Sequence, residues 1–156
     1  MIRKATRKDI KKLADIDVKC NDPVDTVLGW NNDDVPRYIR ERFDKGLETF
    51  FIYKDKEDHK GYITVIDDFA AYSSCEIRWL AVKEHYQRKG IGRKLVEAAH
   101  EHARKLGRKR VFLYTHELRK DSAVRFYKKL GYRIINRFPG YYSNGDTSIL
   151  MGKTLK

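Results

Sequence analysis

The chain has 156 residues, enough for one domain with its own core, and 41% of them are hydrophobic. No apolar run approaches the length of a membrane span and no signal-peptide pattern opens the chain, so we expect a single cytoplasmic domain over residues 1–156 with no membrane partner. The net charge of +12 is spread along the chain, which favours a solvated surface over a specific nucleic-acid site and leaves association with the ribosome open.

The N-terminal third of the sequence predicts one strand and two helices. Residues 2–5 form the strand, and Thr6 followed three positions later by Asp9 has the spacing of a helix capping box. Residues 20–33 are rich in turn formers and predict a long irregular connection, a kind of segment that often carries function. The second helix is expected over residues 34–45, just before a glycine.

The remainder of the chain predicts six strands and two helices. Strands rich in β-branched and aromatic residues are expected at 49–53, 61–66, 76–82, 111–115, 132–138 and 147–154. Apolar residues at helical spacing predict helices over 91–106 and 122–130, each closed by a glycine. The order β-α-α-β-β-β-α-β-α-β-β predicts an α/β fold with a mixed, mostly antiparallel central sheet and helices on both faces.

The fourth strand leads into a loop that carries two glycines and opens a helix. Gln87, Gly90 and Gly92 have the spacing Q-x-x-G-x-G, which matches neither the P-loop nor the dinucleotide fingerprint. A helix start offers free N–H groups and a partial positive charge, and glycines let a phosphate approach the main chain closely. This loop is therefore predicted to bind a pyrophosphate. Positive charge in the same turn comes from Arg88, Lys89, Arg93 and Lys94.

Two motifs resemble the GNAT superfamily of acetyl-coenzyme A-dependent N-acetyltransferases. The family's coenzyme loop is [QR]-x-x-G-x-[GA] after a strand that ends in an apolar residue, Ala and Val, as residues 80–92 do here. Residues 123–132 resemble the family signature A-x-x-[FL]-Y-x-x-x-G-[FY], with Tyr127 at the tyrosine. The resemblance spans essentially the whole chain. It implies a GNAT fold, acetyl-coenzyme A as the acetyl donor, direct transfer to an amine and no metal.

The resemblance also implies which residues bind acetyl-coenzyme A. Backbone groups of the fourth strand would bond the pantetheine amides, and backbone N–H groups of the glycine loop would hold the pyrophosphate. Lys120 takes the place of an asparagine that often contacts the coenzyme, and it would offer charge instead of an amide. The full set is Leu80, Ala81, Val82, Gln87, Arg88, Lys89, Gly90, Ile91, Gly92, Arg93, Lys120 and Tyr127.

Glu76 and Tyr127 are the implied base and acid. Glu76 occupies the position of the general base in the histone-acetylating branch of the family. Tyr127 occupies the position of the tyrosine that protonates the departing thiolate. Strand alternation predicts that Glu76 shares a face with Leu80 and Val82. The competing interpretation is a surface ion pair of Glu76 with Arg78.

His116 is the alternative base. In bacterial ribosomal-protein acetylators the base is a glutamate at the position of Thr115, which cannot accept a proton, and His116 lies directly beside it. Cys20 and Cys75 have no further ligands at short spacing, so we expect reduced thiols and no metal site. Surface positions are expected for His59, His85, His100 and His102.

A tyrosine-rich segment near the C-terminus points to the acceptor. Tyr141 and Tyr142 begin a segment similar to Y-Y-x-x-G-[ED]-x-A-x-x-M of protein N-terminal acetyltransferases of the ribosomal-protein-alanine and arrest-defective types. The resemblance implies that these tyrosines bind the backbone of an acceptor peptide, and Trp30 is a candidate for an apolar acceptor pocket. A protein lysine, a small amine, and a non-catalytic coenzyme-binding or ribosome-associated module remain as alternatives.

Overall fold

In the computed structural model the described residues are 1–20, 34–56, 58–68, 73–117, 123–142 and 144–156. Most of the predicted connection at 20–33, which includes Trp30, lies outside the described residues. Lys120 also lies outside them. The strands are β1 (Ile2–Lys4), β2 (Thr49–Asp55), β3 (Asp58–Ile66), β4 (Ser74–Val82), β5 (Arg110–His116), β6 (Arg133–Phe138) and β7 (Ser148–Thr154). The helices are α1 (Ile10–Cys20), α2 (Asp34–Asp44), α3 (Ile91–Lys105) and α4 (Ala123–Lys129). The predicted order of elements is confirmed.

All the strands join one sheet in the order β1-β2-β3-β4-β5-β7-β6. Among the described strands only β4 and β5 run parallel, with α3 as the crossover between them, because parallel neighbours need a long connection. Their pairing extends from Ser74 with Arg110 to Ile77 with Leu113 and goes no further along either strand. The sheet therefore opens between the second half of β4 and the end of β5.

Each face of the sheet has its own hydrophobic core. On one face, which we call the α3 face, α3 and α4 cover a core that includes Ile63, Leu95 and Leu113. On the opposite face, the α1 face, α1 and α2 cover a core that includes Leu13 and Ile52. The predicted mixed sheet with helices on both faces is confirmed.

A β-bulge in β4 changes which side chains share a face. Thr64 of β3 pairs with Trp79, but the next residue, Val65, pairs with Ile77, so one residue of β4 is extra. As a result Ile77 joins Leu80 in the core of the α3 face. Glu76 lies on the α1 face instead, and the prediction that it shares the face of Leu80 and Val82 was wrong because alternation does not continue through a bulge.

The capping box predicted before α1 is present. The carboxylate of Asp9 accepts the Thr6 backbone N–H at 2.7 Å and the Thr6 hydroxyl at 2.9 Å. Arg3 donates two further hydrogen bonds to it, at 2.8 and 2.7 Å. These hydrogen bonds hold the pKa of Asp9 well below its usual range, and those from Arg3 contribute most. The helix that leads to the predicted connection is thus fixed at its start to β1.

None of the four described helices is long and apolar enough to cross a bilayer. Within the described ranges, no group of three or more His, Cys, Asp or Glu side chains is placed to hold a metal ion. Cys75 is fully buried, and burial raises the pKa of its thiol to about 11. The Cys75 thiol therefore stays protonated and unreactive near neutral pH.

Candidate active site

The opening between β4 and β5 exposes main-chain groups of β4. From Leu80 to Val82, β4 stays paired with β3 on one side, and its other side has no strand partner among the described residues. Main-chain groups on that side can bond the amides of an extended ligand. The Val82 carbonyl already accepts a hydrogen bond from the Gln87 side chain at 3.0 Å, which joins the end of β4 to the glycine loop.

The glycine loop forms the N-terminus of α3. Gly90 is the N-cap residue with φ of 80°, and the first intrahelical bond runs from the Lys94 N–H to the Gly90 carbonyl at 3.1 Å. The N–H groups of Ile91, Gly92 and Arg93 precede that bond and have no acceptor within the helix. A Cβ placed on Gly90 would meet no atom within 4 Å, so the outer side of the turn at Gly90 is open.

Neighbouring elements pack closely against the loop. A Cβ on Gly92 would lie 3.4 Å from Cζ of Phe126 in α4 and 4.0 Å from Cγ2 of Val82. Small residues at this turn therefore let α4 and β4 meet beside the helix start. Arg88, Lys89 and Arg93 are exposed around the same donors. Free N–H groups, open space and positive charge fit the pyrophosphate of acetyl-coenzyme A.

Replacing Gly90 by alanine tests this loop. The left-handed conformation costs a residue with a Cβ about 1–2 kcal/mol, so the loop is expected to shift and the KM for acetyl-coenzyme A to rise about tenfold. Gly107 is the matched control, because its φ is +71° and a Cβ there also meets nothing within 4 Å. It follows the opposite end of α3, so Gly107→Ala should lower Tm similarly and leave this KM unchanged. Equal KM values for the two variants would contradict a role of the Gly90 loop.

Glu76 lies at the point where β4 and β5 begin to separate. It pairs with Phe112, one position before the last pair of the two strands, and its side chain is only 4% exposed. The guanidinium of Arg78 is 3.3 Å away. Burial raises the pKa of Glu76 above its usual value, the charge of Arg78 opposes this, and the Glu48 carboxylate adds to it. The predicted pair with Arg78 exists, but around a buried carboxylate that can accept a proton.

Tyr127 lies on the face of the sheet opposite to Glu76. Its ring is buried in the α3-face core, with edge contacts to Phe126 and Tyr132 at centroid distances of 5.0 and 5.3 Å. Burial raises the pKa of Tyr127 well above that of a free phenol. The hydroxyl therefore keeps its proton at neutral pH, and the sheet separates it from Glu76 on the α1 face.

His116 ends β5 inside a cluster with the tyrosine segment. Its ring stacks on Tyr142 with centroids 3.8 Å apart and 23° between the planes. Its Nδ1 is 3.4 Å from Oδ2 of Asp146, a buried carboxylate whose Oδ1 accepts the Thr147 N–H at 2.6 Å. Sequence reasoning placed no role on Asp146, although it is the acidic residue of the tyrosine segment. The pairing of His116 with Ser148 in β7 brings Asp146, two residues before Ser148, close to His116.

Other residues near Glu76 were missed by sequence reasoning. Tyr114 of β5 is 41% exposed on the α1 face, and its pKa is raised by burial and then by the charges of Glu76 and Tyr141. Arg78 interacts in turn with Tyr38 of α2. Tyr141 is 64% exposed, with its ring 5.1 Å from that of Tyr142. Aromatic residues thus line the approach to Glu76. No sequence motif marks Tyr38 or Tyr114.

Three of the four histidines predicted at the surface are buried or nearly so, and only the fourth is exposed. His100 in α3 bonds the Tyr132 hydroxyl at 2.7 Å, and burial lowers its pKa to about 4. His102 bonds Asp67 at 2.8 Å, and the His59 side chain is 11% exposed. The prediction was wrong for His100 and His102 because both belong to the buried side of α3, and for His59 because it lies in β3 with its ring 3.5 Å from Asp9.

A helix start with free N–H groups beside separated parallel strands, with a buried carboxylate and a buried phenol on opposite faces of the sheet, is compatible with an acyltransferase that uses a nucleotide-linked thioester. Residues 11–132 match the model of the acetyltransferase (GNAT) family, and the chain belongs to this family. The acetyl-coenzyme A-dependent acyltransferase activity and the fold predicted from the sequence are thereby confirmed.

Solved structures share this fold at low sequence identity. A GNAT-family protein of Desulfovibrio desulfuricans is 21% identical over 99% of this chain and 98% of that chain, with a TM-score of 0.85. Aminoglycoside 6'-N-acetyltransferase of Enterococcus faecium is 19% identical over 99% of this chain and 96% of that chain, with a TM-score of 0.80. The ribosomal-protein-S18-alanine N-acetyltransferase of Escherichia coli is 17% identical over 100% and 94%, with a TM-score of 0.77. The last two names give different acceptors, so the fold alone does not define the acceptor.

Proposed function

We propose that this protein transfers the acetyl group of acetyl-coenzyme A to the α-amine of a polypeptide N-terminus. The observation that carries the proposal is the position of the tyrosine segment on the α1 face. Tyr142 stacks on His116 at the end of β5, and Tyr141 is close enough to Tyr114 to affect its pKa, as Glu76 is. Exposed phenols around one buried carboxylate suit a peptide backbone, which offers both donors and acceptors.

The coenzyme would lie along the opening of the sheet. Backbone groups of residues 80–82 would bond the pantetheine arm, and the N–H groups at the start of α3 would hold the pyrophosphate. Arg88, Lys89 and Arg93 would add charge, while Gln87 positions the loop through its bond to Val82. When bound, acetyl-coenzyme A supplies a thioester carbonyl that an amine can attack.

The chain's own residues would move the two protons of the reaction. Glu76 takes the proton of the attacking amine, and burial raises its pKa above that of an ordinary carboxyl group, which makes it a stronger base. Tyr127 gives its hydroxyl proton to the departing sulfur from the α3 face. The new bond joins the acetyl carbon to nitrogen, the carbon–sulfur bond breaks, and the proton count balances. His116, oriented by Asp146, is the alternative base.

The test is release of free coenzyme thiol with a panel of peptides. Peptides with free N-termini are compared with blocked peptides that carry an internal lysine, and with an aminoglycoside. Turnover only with free N-termini is the expected result. Turnover only with blocked peptides would assign lysine acetylation, and turnover only with the aminoglycoside would assign a small-amine acceptor. Coenzyme binding without turnover on any acceptor would favour a non-catalytic module.

A variant connects the result to the tyrosine segment. Tyr141 is 64% exposed, so Tyr141→Ala should fold normally. It is expected to raise the KM for the peptide about tenfold and to leave the KM for acetyl-coenzyme A unchanged. Leu106→Ala, which also shortens an exposed apolar side chain but at the far end of α3, should change neither value. An unchanged peptide KM in Tyr141→Ala would remove the tyrosine segment from the acceptor site.

A further inference from the structure

A single row of register partners extends from Glu76 to the edge of the sheet. Glu76 of β4 pairs with Phe112 of β5, Phe112 with Gly152 of β7, and Gly152 with Arg133 of β6. Side chains of residues directly opposite each other in a sheet point to the same face. The row therefore lies on the α1 face, beyond the part of that face where α1 and α2 pack.

A groove follows this row across β5, β7 and β6. It has a volume of about 650 Å³, and its apolar floor is formed by Phe112, Gly152 and Ile135, the last of which is 57% exposed. A Cβ on Gly152 would lie 2.9 Å from the Phe112 ring and 3.2 Å from Ile135. Gly152 therefore keeps the floor low between two apolar side chains.

The rim of the groove is positively charged. Four of its lining residues are basic and none is acidic: Arg110, Arg133, Lys153 and Lys156. The ammonium of Lys153 turns to the α3 face, where it donates to the Leu130 carbonyl at 2.6 Å and helps lower the pKa of His100, so the charge of the rim comes from the other three residues. Arg110 and Arg133 are exposed, and neither forms an ion pair with a described carboxylate. The groove is thus complementary to an extended segment that combines apolar and acidic side chains. A second copy of this chain, with a net charge of +12, matches it poorly.

We propose that this groove binds an acidic and apolar stretch of the acceptor polypeptide, a few residues after the acetylated amine. This inference rests on the proposed function. Neighbouring strands lie about 4.8 Å apart, so Arg133, three strands from Glu76, is about 14 Å from it along the sheet. An extended chain covers about 3.4 Å per residue, so the acceptor meets the groove from about its fourth residue onward. Side chains of alternate residues point to the same side of an extended chain, so acidic side chains at the fourth and sixth residues face Arg110 and Arg133.

The experiment uses the full chain and two peptides with free N-termini and identical first three residues. One peptide continues Asp-Leu-Glu-Leu and the other Lys-Leu-Lys-Leu. The acidic peptide is expected to have a KM at least about tenfold lower, at similar kcat, and the difference should shrink with added salt. Arg110→Glu combined with Arg133→Glu should reverse the preference. Lys11→Glu combined with Arg40→Glu, exposed residues of α1 and α2 outside the groove, should keep it.

Binding separates this inference from the proposed function. The acidic peptide, acetylated at its N-terminus and labelled with a fluorophore, is titrated with protein and followed by anisotropy. Binding that becomes about tenfold weaker in the Arg110→Glu, Arg133→Glu double variant supports the groove. This holds even if no free N-terminus is acetylated, because the absence of acetylation would overturn the proposed function alone. Turnover of both peptides with equal KM values would overturn the groove and leave the proposed function standing. Equal binding by wild type and Ile135→Asp, an exposed substitution in the groove floor, would also overturn the groove.

Discussion

Replacing Glu76 by glutamine is expected to lower kcat for acetyl transfer by about 10²–10⁴-fold, the usual contribution of a general base. The side chain keeps its size and one acceptor oxygen, so the fold and the binding of acetyl-coenzyme A should be retained. The measurement is the initial rate of thiol release at saturating coenzyme, with coenzyme binding measured by calorimetry. Full kcat in Glu76→Gln, together with a large loss in His116→Gln, would assign the base to His116 instead.

The pH dependence gives a second readout of the same residue. A base must be deprotonated, so activity is lost as pH falls through the pKa of Glu76, which burial raises. Arg78 lowers that pKa, so Arg78→Gln should move the acidic limb of kcat/KM to higher pH. Glu48 raises it, so Glu48→Gln should move the limb to lower pH. Shifts of opposite sign from two neighbours identify Glu76 as the titrating group, and limbs that do not move would exclude it.

Replacing Tyr127 by phenylalanine is expected to lower kcat about 100-fold through loss of the proton donor. The ring and its contacts with Phe126 and Tyr132 remain, so coenzyme affinity should be unchanged. Because burial raises the pKa of Tyr127, its ionisation should cause no loss of activity below about pH 10. The measurement is kcat across this pH range for both proteins.

Tyr132→Phe is the matched control for Tyr127→Phe. Tyr132 is an equally buried tyrosine in ring contact with Tyr127, and its hydroxyl bonds His100 at 2.7 Å. Removal of the Tyr132 hydroxyl should lower the free energy of unfolding by about 1 kcal/mol and leave kcat near the wild-type value. If the two variants lose kcat equally, or Tyr127→Phe loses none, Tyr127 is a core residue and some other group protonates the sulfur.

Local signals were sufficient for much of the fold. Gly90 and Gly92 mark a helix start from residue type and spacing alone, because a left-handed N-cap and close packing against Phe126 require small residues. Apolar periodicity located the helices and strands in the right order. The capping box of Thr6 and Asp9 formed as predicted because it needs only residues three positions apart.

Long-range pairing decided the geometry of the candidate site. The bulge in β4 placed Glu76 on the α1 face, opposite Tyr127, because strand alternation cannot reveal an extra residue that depends on the pairing with β3. The pairing of β5 with β7 brought Asp146 to His116, which no local pattern indicates.

By itself the sequence determined the order of elements, the glycine loop that opens α3 and the family to which the chain belongs, because these depend on residues close together along the chain. Only the tertiary structure decided which faces of the sheet Glu76, the proposed base, and Tyr127, the proposed acid, occupy. It also brought Tyr114 near both Glu76 and Tyr141 and continued the row of Glu76 into a basic groove at Arg133. Those relations depend on register and burial, which arise when distant strands pair and exclude water.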